Sequence, residues 1–200
     1  MIRKTLPAVF LIASAVFIAP ASGDGFEPGL GFVFVVPNNE HNSGIGAQVN
    51  GDLIANDKFT FRGIIGGYQA GTKSDGQLPP GDYRQIFFEA NGLATFPSNN
   101  LRPYIGGGLG YYVSDVVQSD SFKAQLEEEG RFRTDEFDNI FGFNIRGGFL
   151  FHASPKVWTG LDAKFTTLNP TLTTKTDDGT RTSKPGLGTL SLTLFINWRI

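Results

Sequence analysis

From residue 25 onward the chain alternates apolar and polar positions with a period of two, in eight successive segments. Successive side chains of a β-strand point to opposite faces, so this period selects strands over helices. The eighth segment is the cleanest. Leu190, Leu192, Leu194, Ile196, Trp198 and Ile200 share one face, and Thr189, Ser191, Thr193, Phe195, Asn197 and Arg199 share the other. The first sets Phe26, Leu30, Phe32, Phe34 and Val36 against Glu27, Gly29, Gly31 and Val33. Between them lie segments around Ile45–Ala55, Phe59–Ile65, Gln85–Phe96, Arg102–Val113, Ile140–His152 and Val157–Phe165. A one-residue slip would turn every one of these apolar faces over, so the register of each strand is strongly specified.

The connections alternate as well. Asn56-Asp57-Lys58, Pro97-Ser98-Asn99-Asn100 and Ala153-Ser154-Pro155-Lys156 are tight turns rich in Asn, Asp, Ser and Pro. Longer loops run over about 37–43, 70–82, 114–136 and 169–185. Within the third, the stretch from Ser121 to Gly130 has the propensity for a short helix. Short turns at one end and long loops at the other match the asymmetry of outer-membrane barrels, with the turns in the periplasm.

The first 21 residues read as a secretory signal: Arg3 and Lys4, an apolar stretch from Leu6 to Ile18, then Ala19-Pro20-Ala21 as a cleavage site. The apolar stretch is shorter than the about 20 residues that span a bilayer as a helix. Residues 22–200 are then one domain, with fifteen Lys and Arg against nineteen acids and a net charge of −4. No Cys is present, so thiol chemistry, Cys-ligated zinc and a lipoprotein anchor are excluded, and the mild acidity gives no footprint for nucleic acid.

Alternation alone leaves open which face meets water. A secreted barrel of the lipocalin kind would hide its apolar face, whereas a membrane barrel turns it outward. The apolar face of all eight segments carries no Asp, Glu, Lys, Arg, Asn, Gln or His. The opposite face is rich in Gly with single scattered charges, unlike the Lys- and Glu-rich surface that water favours. Aromatics such as Phe96, Tyr111, Phe151 and Trp198 lie near segment ends, where interfacial girdles form. The expected fold is therefore all-β: a closed, antiparallel, up-and-down, eight-stranded transmembrane barrel in the cell outer membrane. The mean hydropathy of −0.10 then reflects two opposed faces that average away.

The stretch Leu101-Arg-Pro-Tyr-Ile-Gly-Gly-Gly-Leu-Gly-Tyr-Tyr112 is similar to the RPYxGxGxGY strand of the small outer-membrane barrels, of the OmpA transmembrane-domain, OmpX and OmpW kind. That resemblance implies the architecture of residues 25–200 and identifies a superfamily, with no activity attached. Two departures stand out. Ile200 occupies the place where such barrels usually carry an assembly-signal Phe or Trp, and no peptidoglycan-binding segment is expected after the eighth strand.

The inward charges form the candidate site. Glu27, Asp52, Glu89 and Asp162 share the interior with Arg62, Arg102, Arg146, Lys164 and Arg199. In a narrow lumen each must be paired or hydrogen-bonded, which predicts a charge-paired, closed interior. The alternative is a narrow path for ions, or a carrier whose inward Val33, Val35, Ile64, Phe87, Leu93, Ile140 and Leu150 receive small apolar molecules.

Two apparent motifs carry less. His152-Ala153-Ser154 resembles the His-x-Ser pair of outer-membrane lipid A deacylases, but it lies beside a periplasmic turn, away from the leaflet that holds lipid A. Gly106-Gly107-Gly108-Leu109-Gly110 lies inside a strand, whereas a phosphate-binding loop would join a strand to a helix. No catalytic residue, metal site or cofactor is expected. The third loop holds eight acids against three bases between Ser114 and Asp138, a net −5, without the ligand spacing of a calcium loop. A solvated, mobile segment is the expectation there. The expected partners are outer-membrane lipids and lipopolysaccharide, the barrel assembly machinery, and an extracellular partner meeting loops 114–136 and 169–185.

Overall fold

The computed structural model describes residues 25–73, 76–96, 98 and 100–200. The expected signal sequence of residues 1–21 and its expected cleavage site lie outside the described residues. In chain order the elements are β1 (Phe26–Val35), β2 (His41–Asn56), β3 (Phe59–Thr72), β4 (Gly81–Thr95), β5 (Leu101–Gln118) and α1 (Asp120–Glu128). They continue with β6 (Arg133–Phe137), β7 (Ile140–Ser154), β8 (Val157–Thr167), β9 (Leu172–Thr176), β10 (Gly179–Ser183) and β11 (Thr189–Trp198). Eight of the strands close into a barrel in the order β1, β11, β8, β7, β5, β4, β3, β2. Every pairing is antiparallel, and β1 against β11 shuts the ring from Gly29 opposite Asn197 to Val35 opposite Ser191. Closure removes both free edges, which is what a sheet needs in lipid, where unpaired backbone groups find no water.

The faces follow the sequence alternation. Leu30, Phe32, Ile45, Phe61, Ile105, Phe143, Ile145 and Leu194 are all more than half exposed, while Glu27, Asn50, Asp52, Arg62 and Asn197 are buried. Apolar side chains stand outside and charges inside, the reverse of a water-soluble barrel. The turn between β2 and β3 is set by Asn56, whose side-chain oxygen accepts the backbone N–H of Lys58 at 2.9 Å and of Phe59 at 3.0 Å.

At the opposite, extracellular end the loops are more folded than the sequence suggests. Strand β5 runs to Gln118, paired with β4 from Tyr104 to that end, although its pairing with β7 stops at Tyr112 opposite Ile140. Helix α1 follows, capped by Ser119, whose hydroxyl accepts the Phe122 N–H. Strand β6 then joins the hairpin of β9 and β10 in a separate three-stranded sheet. The expected mobile third loop is thus an ordered helix and strand, held to the fourth loop. Asp135 is the centre of that union. Its carboxylate accepts from Arg133 Nε at 2.9 Å, Gln118 Nε2 at 2.8 Å and the Thr174 hydroxyl at 2.7 Å.

Candidate functional site: the barrel lumen

Alternation turns one side chain of every pair into the lumen, and an eight-stranded barrel is just wide enough for those side chains to fill. The structure brings eight of the nine inward charges named above into this space and leaves the ninth, Arg199, half exposed at its rim; they form three groups. At the periplasmic mouth the Glu27 carboxylate lies 3.6 Å from Arg102 and 3.7 Å from Arg199. The Arg102 guanidinium covers the Trp158 ring at 4.4 Å, and His152 stacks on the other part of that aromatic patch, its ring centroid 4.6 Å from Trp158. The imidazole of the His-x-Ser stretch is therefore engaged in packing, and Ser154 is the last residue of β7.

One level further in, Arg62 forms two bonds with Asp52, Nε to Oδ1 and NH2 to Oδ2, each 2.7 Å. The fork-to-carboxylate geometry is the strong form of this pair. Asn197 donates to the same carboxylate at 3.0 Å, and Tyr104 accepts from Arg62 at 3.1 Å while donating to Asp162 at 2.6 Å. Above this, Glu89 accepts from Lys164 at 2.6 Å, Arg146 at 2.7 Å and Tyr112 at 3.0 Å. Asp162, 3.9 Å from Arg62 and 3.8 Å from Arg146, bridges the two levels.

The aromatic partners of these charges sit over glycines. A side chain at Gly148 would meet the Tyr104 hydroxyl at 2.8 Å, and one at Gly110 would meet the Tyr112 ring at 2.6 Å. Phe87 and Phe195 lie in the same way against Gly66 and Gly160, each at 2.6 Å. Of the glycine run of β5, Gly110 is thus space for the Tyr112 ring, whereas a side chain at Gly106 or Gly108 would run into the backbone of β4 at Gly92 and Ala90. Sequence reading placed Tyr104, Tyr112 and Asn197 inward without assigning them as partners of the charges, because cross-barrel proximity depends on closure.

Apolar layers bracket the ionic ones. Leu93, Leu150 and Phe195 pack with Tyr104 and Trp158 toward the periplasm. Toward the outside, Val33, Val35, Ile64, Tyr68, Tyr83 and Phe87 pack with Leu78, Leu168, Leu172 and Leu187 of the loops. Of the proposed apolar pocket residues, Ile140 lies at the border of this upper cluster. Two depressions, of about 470 Å³ near Pro80 and Ser119 and about 270 Å³ near Phe59 and Gly92, lie away from the inner charge network.

A closed barrel with a band of exposed Phe, Leu and Ile and a charged, filled interior is stable only with lipid around it. It has the fold of the small eight-stranded outer-membrane barrels. No protein-family profile matches the chain, and no curated relative matches it. Solved structures do. Outer membrane protein OprG from Pseudomonas aeruginosa superposes with a TM-score of 0.70 at 14% identity, over 87% of this chain and 95% of that one. The outer membrane protein AlkL, solved in DMPC lipid bilayers, gives 0.63 at 12% identity over 90% and 93%. Neisserial surface protein A gives 0.57 at 12% identity over 88% and 97%. At such identities these outer-membrane barrels share a fold with this one, and its lumen residues have to be read on their own.

Proposed function

We propose that this outer-membrane barrel is a non-enzymatic envelope protein that acts through its extracellular loop layer, with the lumen as a filled support. The observation that carries the reading is the chain of contacts Asp52–Arg62–Asp162–Arg146–Glu89–Lys164 across the interior. Each of these side chains is at least nine-tenths buried, so an ion passing through would have to break pairs that have no water to replace them. The outer layer of α1, β6, β9 and β10 stands clear of the membrane wall and carries most of the acidic third loop, eight acids against three bases between Ser114 and Asp138, with Phe132 at 54% exposure between Arg131 and Arg133. Such a surface suits an extracellular partner with basic side chains. Lipopolysaccharide around the wall and the barrel assembly machinery are the other partners this reading includes.

Planar-bilayer recording of the refolded protein at neutral pH tests the reading, with silence expected. A steady unitary conductance would overturn it. A second reading, carriage of small apolar molecules, is favoured by the upper lumen cluster around Val33, Ile64 and Phe87. Mass spectrometry of the purified barrel separates the two, since a co-purified apolar ligand would support carriage.

A further inference from the structure

We infer that the extracellular closure of this barrel is a proton-operated latch centred on His41, shut while the imidazole is neutral and released when it is protonated. His41 is 0% exposed, although it lies at the mouth, above the first outward apolar residue of β2, Ile45. Its outward neighbours at that height, Asn42 and Ser43, are polar and exposed, so this part of β2 stands clear of the lipid.

The tautomer follows from its partner. His41 Nδ1 lies 2.8 Å from the Asn42 carbonyl oxygen, which can only accept, so Nδ1 carries the proton. Nε2 is then an unprotonated lone pair, buried and without a hydrogen-bond partner among the described residues. The ring lies flat on Tyr83, centroids 5.6 Å apart with 2° between planes, and Tyr68 stands at 6.3 Å. Both tyrosines belong to the cluster that holds Leu78, Leu172 and Leu187 over the lumen.

The backbone around His41 ties three loops together. Asn38 donates to the Gly188 carbonyl of the fourth loop at 3.0 Å, and its own oxygen accepts the N–H of Glu40 and of His41 at 2.8 and 2.9 Å. The Glu40 carboxylate accepts the Gln77 N–H of the second loop at 2.8 Å, and its carbonyl accepts the Lys73 N–H at 3.0 Å. A proton added at Nε2 turns the ring into a cation whose new N–H faces no acceptor among the described residues. Water relieves that cost only if the first loop lifts, and lifting it parts these bonds together.

Among the described residues, the charged and titratable groups facing the ring are Glu40 beside it, Lys73 just past the end of β3, Tyr68 on β3 and Tyr83 on β4. Burial holds the imidazole below its ordinary value of 6.5; the Asn42 carbonyl and Glu40 pull upward and Lys73 pushes further down. The closed state therefore binds the proton more weakly than the open one. Closure is fully stable above pH 6.5 and weakens as pH falls through that value toward the lowered closed-state one.

Amide hydrogen exchange of the full chain refolded in phospholipid nanodiscs tests the latch, at pH 7.5 and 5.0 with intrinsic rates corrected. Wild type should lose about tenfold protection at residues 36–41, 76–80 and 186–188 at the lower pH, as should His152→Gln, whereas His41→Gln should lose none. Unchanged wild-type protection, or an equal loss in His41→Gln, overturns the proposal. Should His41→Gln not refold, the imidazole resonances of wild type decide. The His41 midpoint must coincide with that of the loop exchange, and separate midpoints overturn the latch. What opening exposes rests on the filled-lumen reading, but conductance at neutral pH bears on the seal alone and loop exchange on the latch alone.

Discussion

Arg62 and Asp52, ten residues apart on neighbouring strands, face each other across one rung of the ladder and join through two parallel 2.7 Å bonds in the lumen. Neither side chain is more than 2% exposed, so the pair is worth what its geometry supplies and nothing is left to solvent.

Removing one partner is therefore expected to cost far more than removing both. Asp52→Ala leaves the guanidinium with Tyr104 at 3.1 Å and Asp162 at 3.9 Å, and it should destabilise the barrel by about 3–5 kcal/mol. The joint change Asp52→Leu with Arg62→Met should recover most of that loss. Urea unfolding from lipid vesicles, followed by the fluorescence of Trp158 and Trp198, reads both.

Adjacent glycines on β7 should respond oppositely. Gly148→Val drives a side chain into the Leu161 carbonyl and the Tyr104 hydroxyl, which would move that hydroxyl off Asp162, and should cost about 1–3 kcal/mol or more by overpacking. Gly147→Ala faces the lipid, with Tyr104 backbone oxygen at 3.6 Å as the neighbour, and should leave the melting temperature unchanged. Heat-modified migration on gels resolves the difference.

Exposure has opposite meanings on the wall and on the loops. Leu194 is 63% exposed midway along β11, and Leu194→Arg should cost about 2–4 kcal/mol in a bilayer. Phe132 is 54% exposed on the loop layer, and Phe132→Ala should change barrel stability by less than about 0.5 kcal/mol. The same unfolding assay compares them, and equal effects would argue against lipid contact at Leu194.

Asp135 should matter to the loop layer and not to the wall. Asp135→Ala removes the shared acceptor of Arg133, Gln118 and Thr174, so trypsin should cut faster at Arg131 and Arg133. The melting temperature of the barrel should stay where it was. A drop in that temperature would mean that the outer sheet braces the barrel itself.

The barrel strands were legible because lipid imposes a strict rule on one face. An Arg or Asp outside would break the alternation at once, and none interrupts Leu190 to Trp198. The outer sheet was harder to read. Thr176-Asp177-Asp178-Gly179 between Thr-rich flanks is a hairpin signal, and Gly179 does adopt a positive φ of 123° there. Its third strand, β6, gave no such sign, because four exposed or half-buried polar residues and one Phe become a strand only when β9 lies alongside.

Sequence by itself determined which side chains enter the lumen, since the two-residue period leaves each strand one face and the membrane decides which. It also determined that Glu27, Asp52, Glu89 and Asp162 must find cations there, because a lone buried charge is too costly. Only the tertiary structure decided the partners. Closing β1 onto β11 brings Asn197 to Asp52, and curvature of the wall brings Glu89 to Lys164, pairs separated by 145 and 75 residues. The same is true of His41, an ordinary histidine at a strand end until three loops fold over it. Distances across a barrel depend on strand number and stagger, and these are properties of the closed ring that no single strand contains.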